Sequence, residues 1–366
     1  MRYYGIWTHK SVNYRLAWDR TGDLSGFTKN VKPDQLTKVK IVVGTPAKGK
    51  TTDISASPLM PGGFYNPFET KGRLPLTGTD YVLPNKIKWF CQASQRGAPD
   101  AEGDPAWEST QSSIPRAYAA GKDHTQRFNV GVFGPSLPPG DLPNVVDRPG
   151  AVRVGDTFAA YMPLFSDGAG NLGTSAHTKA RSSLHADGKE ICALNDTLNG
   201  DSYTLPAGKR TYKLNVDVSR DPAQSAVSTR TTATWTFTSA HVPGDTPKQL
   251  PLTVVRYTSS LSTASTAKAG TTLSVPFALQ GAATKAGTLR KLAFAVSYDD
   301  GRTWKQTTAM NTMECCGSLS LLSPLLRTSV SGSAVMQFRG RPTAERPGHR
   351  RRPRAIRSRR ESHRRW

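Results

Sequence analysis

The strongest constraint on the fold of this chain is an alternation of apolar and polar residues, interrupted at short intervals by glycine and proline. In the segment RTYKLNVDVSR (210–220) every second residue is apolar, so an extended chain places these residues on one face. The residues on that face are Tyr212, Leu214, Val216 and Val218. The pattern predicts a strand with one buried face and disfavours an amphipathic helix over the same residues.

Similar segments recur along most of the chain and are separated by turn residues. They predict strands or hairpins at 37–43, 81–93, 127–134, 157–165, 180–191, 228–240, 251–260, 271–281, 289–298 and 302–308. Pro84 divides the second of these segments into two strands, and Asp187-Gly188 is the predicted turn of a hairpin in 180–191. We therefore expect an all-β chain of two to three β-sandwich-like or jelly-roll-like modules in tandem.

Loop-rich segments place the module boundaries near residues 150 and 247. The predicted modules are a β-sandwich-like module at 1–150, a second at 151–247, and an incomplete immunoglobulin-like module at 248–310. Residues 311–366 are expected to form a disordered, arginine-rich tail.

This predicted tail differs from the rest of the chain in composition. Residues 314–366 contain 13 Arg, 3 Glu and no Lys, whereas the whole chain has a formal net charge of +22. Three interpretations are open: an arm that binds nucleic acid or another polyanion, a solvated segment without function, and translation out of frame. The loss of lysine where arginine and proline accumulate favours the third, because lysine codons are AT-rich. Nucleic acid is therefore not the favoured partner.

One short motif resembles a catalytic element. GTSAH (173–177) is similar to the segment that carries the nucleophilic serine of subtilisin-like proteases, and Ser175 occupies the serine position. A nucleophilic serine needs a base and an orienting acid, and the histidine and aspartate motifs of those proteases do not occur before Ser175. We therefore expect no catalytic residue in this chain and interpret Ser175 as a polar strand residue after a glycine turn.

A second motif, SYDDGRTW (297–304), fits the Asp-box pattern S-x-D-x-G-x-T-W. Its five defining residues are Ser297, Asp299, Gly301, Thr303 and Trp304. In such a hairpin the aspartate accepts backbone N–H groups, the glycine permits a positive φ and the tryptophan packs back on the strands. Sialidase-type propellers carry several copies of this motif and this chain carries one, so the motif predicts a structural hairpin.

The remaining polar and aromatic residues do not form a complete ligand motif. Alternate acidic residues in DAEGD (100–104) offer oxygen ligands for calcium, but the rest of a calcium-loop pattern is missing. No metal and no other cofactor is therefore expected, with calcium as the open alternative. The tryptophans Trp7, Trp18, Trp89 and Trp107 fit either a sugar platform or, more commonly, core and edge packing.

The four cysteines form no CxxC pair and no zinc-binding spacing. A Cys91–Cys192 disulfide stays open, whereas the adjacent Cys315 and Cys316 cannot pair with each other without strain. No apolar run reaches the ~18–20 residues of a membrane span, so no membrane partner is expected. The N-terminal residues MRYYGIWTHK lack the order of a signal peptide, which leaves localisation open.

From residue 1 to about residue 309 the chain resembles the long C-terminal region of secreted actinobacterial subtilisin-like serine peptidases. The stretches that carry the resemblance are RGAPD (96–100), FNVGVFGP (128–135), MPLFSDGAGNLG (162–173), 212–240, LPLTVVRY (250–257) and LRKLAFAVSYDDGRTWK (289–305). The resemblance implies an extracellular accessory region whose signal peptide and catalytic domain lie upstream, so no triad residue carries over to this chain. It also implies that strands are missing after residue 310, with exposed sheet edges over 251–310.

The resemblance thus implies a non-enzymatic accessory β region that positions or stabilises a secreted subtilisin-like serine peptidase, with the peptidase domain as its partner. One alternative is an extracellular β module that binds cell-wall glycan. Another is a protein that binds nucleic acid or another polyanion through the arginine-rich tail.

Overall fold

The computed structural model describes residues 2–22, 28–60, 68–139, 150–258, 260–268, 270–285, 289, 291–299, 302–313 and 316–322. The prediction of an all-β chain is confirmed: strands form several separate sheets. The helical elements of the described residues include the 3-10 turns Pro33–Gln35 and Ala282–Thr284.

The strands are numbered in chain order. They are β1 (Arg2–His9), β2 (Val12–Asp19), β3 (Thr37–Val43), β4 (Thr51–Pro58), β5 (Phe68–Arg73), β6 (Leu76–Val82), β7 (Trp89–Pro99), β8 (Pro105–Ser112), β9 (His124–Phe128), β10 (Ala151–Val154), β11 (Thr157–Tyr161), β12 (Leu172–Ser175), β13 (Lys179–Ala186), β14 (Lys189–Leu194), β15 (Asn199–Thr204), β16 (Arg210–Ser219), β17 (Arg230–Ser239), β18 (Lys248–Gln249), β19 (Thr253–Tyr257), β20 (Thr272–Gly281), β21 (Phe294–Val296), β22 (Lys305–Thr307), β23 (Ala309–Met313) and β24 (Cys316–Leu322).

The first sandwich consists of two five-stranded sheets. The front sheet has the order β1-β2-β6-β3-β9, and the back sheet has the order β12-β8-β7-β4-β5. Alternate residues of each strand point inward, so Val39 and Phe128 of the front sheet meet Trp89 and Ala93 of the back sheet in one apolar core. The strand β12 lies beyond residue 150 and pairs with β8, so the chain returns to the first sandwich after β10 and β11.

The second sandwich pairs the sheet β15-β11-β10-β18 with the sheet β14-β13-β16-β17. The inward face of β16 is the one that the sequence predicts, and it packs against β17 through Trp235 and Phe237. The predicted hairpin is also present: β13 and β14 pair across Asp187 and Gly188, which have φ values of 47° and 89°.

The third sandwich contains the sheet β19-β20-β24-β23 and the two-stranded sheet β21-β22. Strand β24 pairs with β20 from Thr272↔Leu322 to Ala278↔Cys316. The prediction of a disordered tail from residue 311 is therefore wrong for 311–313 and 316–322, because Leu319 and Leu321 alternate with polar residues and pack on the third core. Residues 323–366, and with them most of the predicted tail, lie outside the described residues.

Several predicted strands are longer in the sequence pattern than in the structure. Strand β9 ends at Phe128 because the next residue, Asn129, adopts a φ of 56°. Strand β11 ends at Tyr161, two residues before Pro163, which has no N–H to donate. The segment 289–298 forms a strand only from Phe294 to Val296.

The three sandwiches meet at a buried polar junction around the loop 166–171. The carboxylate of Asp167 accepts N–H bonds from Asn129 and Asn171 at 2.9 and 3.0 Å. Arg256 of the third sandwich donates to the carbonyl groups of Gly134 at 2.8 Å and of Asp167. These bonds satisfy backbone groups that burial would otherwise leave unpaired, so the junction fixes the sandwiches against one another.

Candidate functional site

The outer face of the front sheet carries a row of residues that lie directly opposite one another on four strands. Trp7 pairs with Tyr14, Tyr14 pairs with Tyr81, and Tyr81 pairs with Lys38. We call these four residues the aromatic row. Their neighbours along the strands, such as Arg15 and Val39, are buried in the core, so strand alternation turns the aromatic row away from the core.

Trp7 lies flat on the sheet. A Cβ atom added to Gly5, two residues earlier on the same face, would lie 2.5 Å from Cη2 of Trp7 and 2.9 Å from its Cζ2 and Cζ3 atoms. The six-membered ring of Trp7 therefore covers the Cα of Gly5. The ring can approach this closely because glycine has no side chain. The side chain of Trp7 nevertheless remains 53% exposed, so the ring presents apolar surface to solvent.

Tyr14 and Tyr81 support each other next to Trp7. Their rings are nearly parallel, with centroids 5.7 Å apart and an interplanar angle of 17°. They come from neighbouring parallel strands that are distant in sequence. An aromatic pair of this geometry contributes about 0.5–1.5 kcal/mol beyond area burial, so each ring holds the other in place.

A cavity of about 510 Å³ continues from the end of the aromatic row at Lys38. We call it the lysine pocket. It is lined by Ser11, Val12, Lys38, Lys40, Thr77, Gly78, Thr79, Asp123, His124 and Thr125. The register explains its floor, because Lys40 lies directly opposite Thr79 on one side and Thr125 on the other.

The polar groups of the lysine pocket are not engaged with one another. Lys38 and Lys40 are exposed, and within the described part of the chain neither forms an ion pair with a carboxylate within 4.0 Å. Among those residues the hydroxyl groups of Thr77, Thr79 and Thr125 likewise form no hydrogen bond. The pocket thus offers two cations and several hydroxyl groups to a ligand.

A buried polar cluster lies beneath the same sheet and fixes the strands that carry the site. The guanidinium group of Arg15 pairs with Asp80 and donates to the Sγ atom of Cys91 at 2.8 Å. Burial opposes the charge of Arg15, but the nearby Cys91 and Asp80 raise its pKa above the usual value. Burial also raises the pKa of Tyr118, whose hydroxyl donates to Gln126 at 3.1 Å. Strands β2 and β6 are therefore joined by charge as well as by their ladder.

The structure places Ser175 at the end of β12, where it is 8% exposed. Its Oγ accepts a hydrogen bond from Nε2 of Gln224 at 2.6 Å and lies 3.2 Å from the carbonyl oxygen of Ala176. Among the residues that the structure describes, no histidine hydrogen-bonds to Ser175. The chain continues into strand β13 and not into a helix, so the hydroxyl group serves the packing of a sheet edge.

The Asp-box residues form a turn between β21 and β22. Asp299 accepts the backbone N–H of Thr303 at 2.8 Å and the hydroxyl of Thr303 at 2.6 Å, and Ser297 donates to the same carboxylate at 2.8 Å. These bonds, led by the one from the Thr303 hydroxyl, lower the pKa of Asp299 to about 2. Gly301 lies outside the described residues, and Trp304 is half-buried beside the turn.

The structure does not bring all four candidate platform tryptophans together, although Trp7 and Trp18 lie on the same outer face of the front sheet. Trp89 is 1% exposed in the first core, whereas Trp107 is 42% exposed and lies on β8 of the back sheet. Trp18 lies on β2 and is half-buried. Trp7 alone of the four joins the aromatic row. Sequence reasoning missed Tyr14, Tyr81 and the two lysines, because the parallel pairing of β2 with β6 leaves no local signal.

In DAEGD (100–104) Asp100 accepts the backbone N–H groups of Glu102 and Asp104 at 3.1 and 3.0 Å, so this carboxylate caps the turn. No group of three or more potential ligands able to hold a metal occurs among the described residues. Cys91 and Cys192 are free thiols, so the open disulfide between them is absent. No helix within the described ranges is long and apolar enough to cross a membrane.

Comparison with known proteins adds no assignment to this geometry. No protein-family model matches the chain, and the search of curated proteins found no match.

Proposed function

We propose that this chain is a non-catalytic β region that binds an extracellular glycan on the outer face of the front sheet. The observation that carries the proposal is Trp7, held flat on Gly5 with its ring open to solvent and aligned with Tyr14 and Tyr81. Singly exposed apolar residues are common on proteins, but an exposed ring aligned with further aromatic rings forms a contiguous apolar surface, which marks interaction sites.

The chemistry of the face suits a sugar chain. The C–H groups of a pyranose ring form an apolar surface that packs on an aromatic ring, while the sugar hydroxyl groups need donors and acceptors around it. Trp7 supplies the first, and the free hydroxyl groups of Thr77, Thr79 and Thr125 with the carboxylate of Asp123 supply the second. An extended row across four strands fits a linear polymer better than a compact metabolite.

We further propose, from the resemblance to the C-terminal regions of secreted subtilisin-like peptidases, that the glycan-binding region accompanies a serine peptidase domain and positions it on its substrate. The buried junction around Asp167 supports this role, because it makes the sandwiches a stiff spacer. The chain itself is proposed to lack hydrolase activity, since Ser175 is engaged with Gln224. Labelling of Ser175 by a serine-reactive covalent probe would contradict that statement.

The binding proposal is tested with insoluble cell-wall polysaccharides in pull-down assays and with soluble oligosaccharides in calorimetry. Trp7→Ala is expected to abolish binding, because it removes the most exposed ring of the row. Trp107→Ala is the matched control, since Trp107 is similarly exposed but lies on the other sheet, and it is expected to bind like the wild type. Equal binding by wild type and Trp7→Ala to every polysaccharide would overturn the proposal.

A second variant separates the position of the ring from its presence. Gly5→Ala keeps Trp7 but places a methyl group 2.5 Å from its Cη2 atom, so the ring must move. Because that ring is exposed, we expect little change in stability and a loss of roughly tenfold in affinity, or about 1.4 kcal/mol. Unchanged affinity would mean that the flat orientation of Trp7 has no role.

A further inference from the structure

The lysine pocket adds charge to the glycan-binding face. Lys38 belongs both to the aromatic row, opposite Tyr81, and to the lining of the pocket. Lys40 lies two residues further along β3. The two lysine side chains therefore project from the same side of the strand, and their Cα atoms are about 7 Å apart. Neither has a carboxylate partner within 4.0 Å among the described residues.

Two neighbouring, unpaired cations repel each other, and a fold gains nothing from this arrangement. An anionic ligand would remove the repulsion. The pocket volume of about 510 Å³ lies in the range of sites for small organic groups, which is larger than a single inorganic ion needs. The pocket also carries Asp123, which can accept sugar hydroxyl groups but repels a highly charged anion.

We infer that the glycan bound by the front sheet is an acidic polysaccharide, with a sugar ring on Trp7 and a uronate carboxylate of the same chain between Lys38 and Lys40. This inference rests on the proposed glycan-binding function and specifies its ligand class. The aromatic row then supplies the affinity for sugar rings in general, and the lysine pocket supplies the preference for charged over neutral chains.

The experiment compares two forms of one polymer. Binding of the full chain to polygalacturonate and hyaluronate is measured against binding to their methyl esters, in which the carboxylate charge is removed and the sugar backbone is kept. At low ionic strength we expect each acidic form to bind at least about tenfold more tightly than its ester, with the difference shrinking as salt screens the charges.

The double variant Lys38→Gln, Lys40→Gln tests the residues. It is expected to lose the preference for the acidic forms, so that acid and ester bind with equal affinity. Lys213→Gln is the matched control, because Lys213 is an exposed lysine on β16 of the second sandwich, and it is expected to keep the preference. Thermal unfolding of all variants checks that they are folded.

The outcomes separate the two proposals. If Trp7→Ala abolishes binding to acid and ester alike but the lysine variant retains the wild-type preference, glycan binding stands and the inference about Lys38 and Lys40 fails. If the acidic and esterified polymers bind equally well, the acidic ligand class is wrong. If the lysine variant alone loses binding and Trp7→Ala changes nothing, the face is a general anion site and the proposed glycan function fails.

Discussion

The outer faces of the first and second sandwiches use the same kind of strands but differ in the side chains that they expose. On the sheet β14-β13-β16-β17 the arginines have acidic partners. The pairs are Arg230–Asp217 at 2.5 Å, Arg210–Asp187 at 2.7 Å and Arg181–Glu190 at 3.3 Å. On the front sheet Arg2 pairs with Asp19 at 2.7 Å. Lys38 and Lys40, like Lys213 of the second sandwich, have no such partner within the described residues, and Trp7 is exposed.

The interiors also differ. The first sandwich buries both partners of the Arg15–Asp80 ion pair, whereas in the second sandwich the buried Arg153 pairs with Asp156, whose side chain is 34% exposed. The front sheet is distinguished by an exposed indole aligned with two neighbouring lysines and by a fully buried ion pair beneath them. This combination supports a surface built for a partner.

The largest expected effect comes from opening the buried ion pair. Arg15→Met leaves the carboxylate of Asp80 buried without its cation, and we expect a loss of about 3–5 kcal/mol in the free energy of unfolding of the first sandwich. Urea unfolding monitored by tryptophan fluorescence measures this loss in stability. The control Arg230→Met breaks an exposed pair of the second sandwich and is expected to cost far less.

The double variant Arg15→Met, Asp80→Asn sharpens this prediction. It removes both charges, so we expect it to regain part of the stability that Arg15→Met loses. If Arg15→Met costs no more than Arg230→Met, the pair does not hold the front sheet, and the contrast between the two interiors disappears.

The strands of the second sandwich could be predicted from sequence because they alternate strictly. In β16 one apolar face and one polar face follow directly from the residue order. The Asp187-Gly188 turn likewise predicts the hairpin of β13 and β14. Strand β24 was not predicted because CGSLSLL lies next to the arginine-rich segment. Its apolar residues are buried only because the strand pairs with β20. For β24, the alternation of apolar and polar residues within the segment predicts the strand better than the composition of the residues that follow it.

The candidate site could be predicted only in part, for a different reason. Trp7 was named as a platform candidate from its type alone. Its partners Tyr14, Tyr81 and Lys38 are contributed by strands far apart in sequence, and the parallel pairing of β2 with β6 decides that they align. The role of Gly5 depends on the rotamer of Trp7, which no residue pattern encodes.

The second prediction concerns the apolar interior. Leu214 is 1% exposed in the second core, and Leu214→Ala removes buried methyl groups and leaves a cavity. We expect a loss of about 3 kcal/mol in the free energy of unfolding. Glycan binding under native conditions should stay unchanged, because the front sheet is not touched. If the fully folded Leu214→Ala variant binds glycan more weakly than the wild type, the two sandwiches share the site.

The third prediction concerns the junction between the sandwiches. Burial raises the pKa of Asp167 to about 6, although hydrogen bonds from Asn171 and Asn129 act in the other direction. In the unfolded chain the carboxyl releases its proton near pH ~4. Between these values the folded chain holds more protons than the unfolded chain, so the contribution of Asp167 to stability rises as pH falls from about 7 to about 4.

Asp167→Asn removes this titration. The difference in unfolding free energy between wild type and variant is therefore expected to shift by up to roughly 2–3 kcal/mol in favour of the wild type between pH 7 and pH 4. Denaturant unfolding at a series of pH values measures it. A constant difference in unfolding free energy between pH 7 and pH 4 would show that Asp167 does not titrate in this range. The stability of the junction would then depend on pH no more than that of either sandwich.

The smallest expected effect lies on the paired face itself. Arg230 lowers the pKa of Asp217 through a hydrogen bond, but both side chains are about half exposed to solvent. A double-mutant cycle of Arg230→Ala and Asp217→Ala is therefore expected to give a coupling of only about 0.2–1 kcal/mol, which falls further with added salt. Such a value would mean that the pairs of the second sandwich cancel charge without adding much stability. The front sheet would then lose little stability by leaving Lys38 and Lys40 unpaired. A coupling well above this range would instead make ion pairing a source of stability that the front sheet merely lacks, and the contrast between the two faces would lose its bearing on binding.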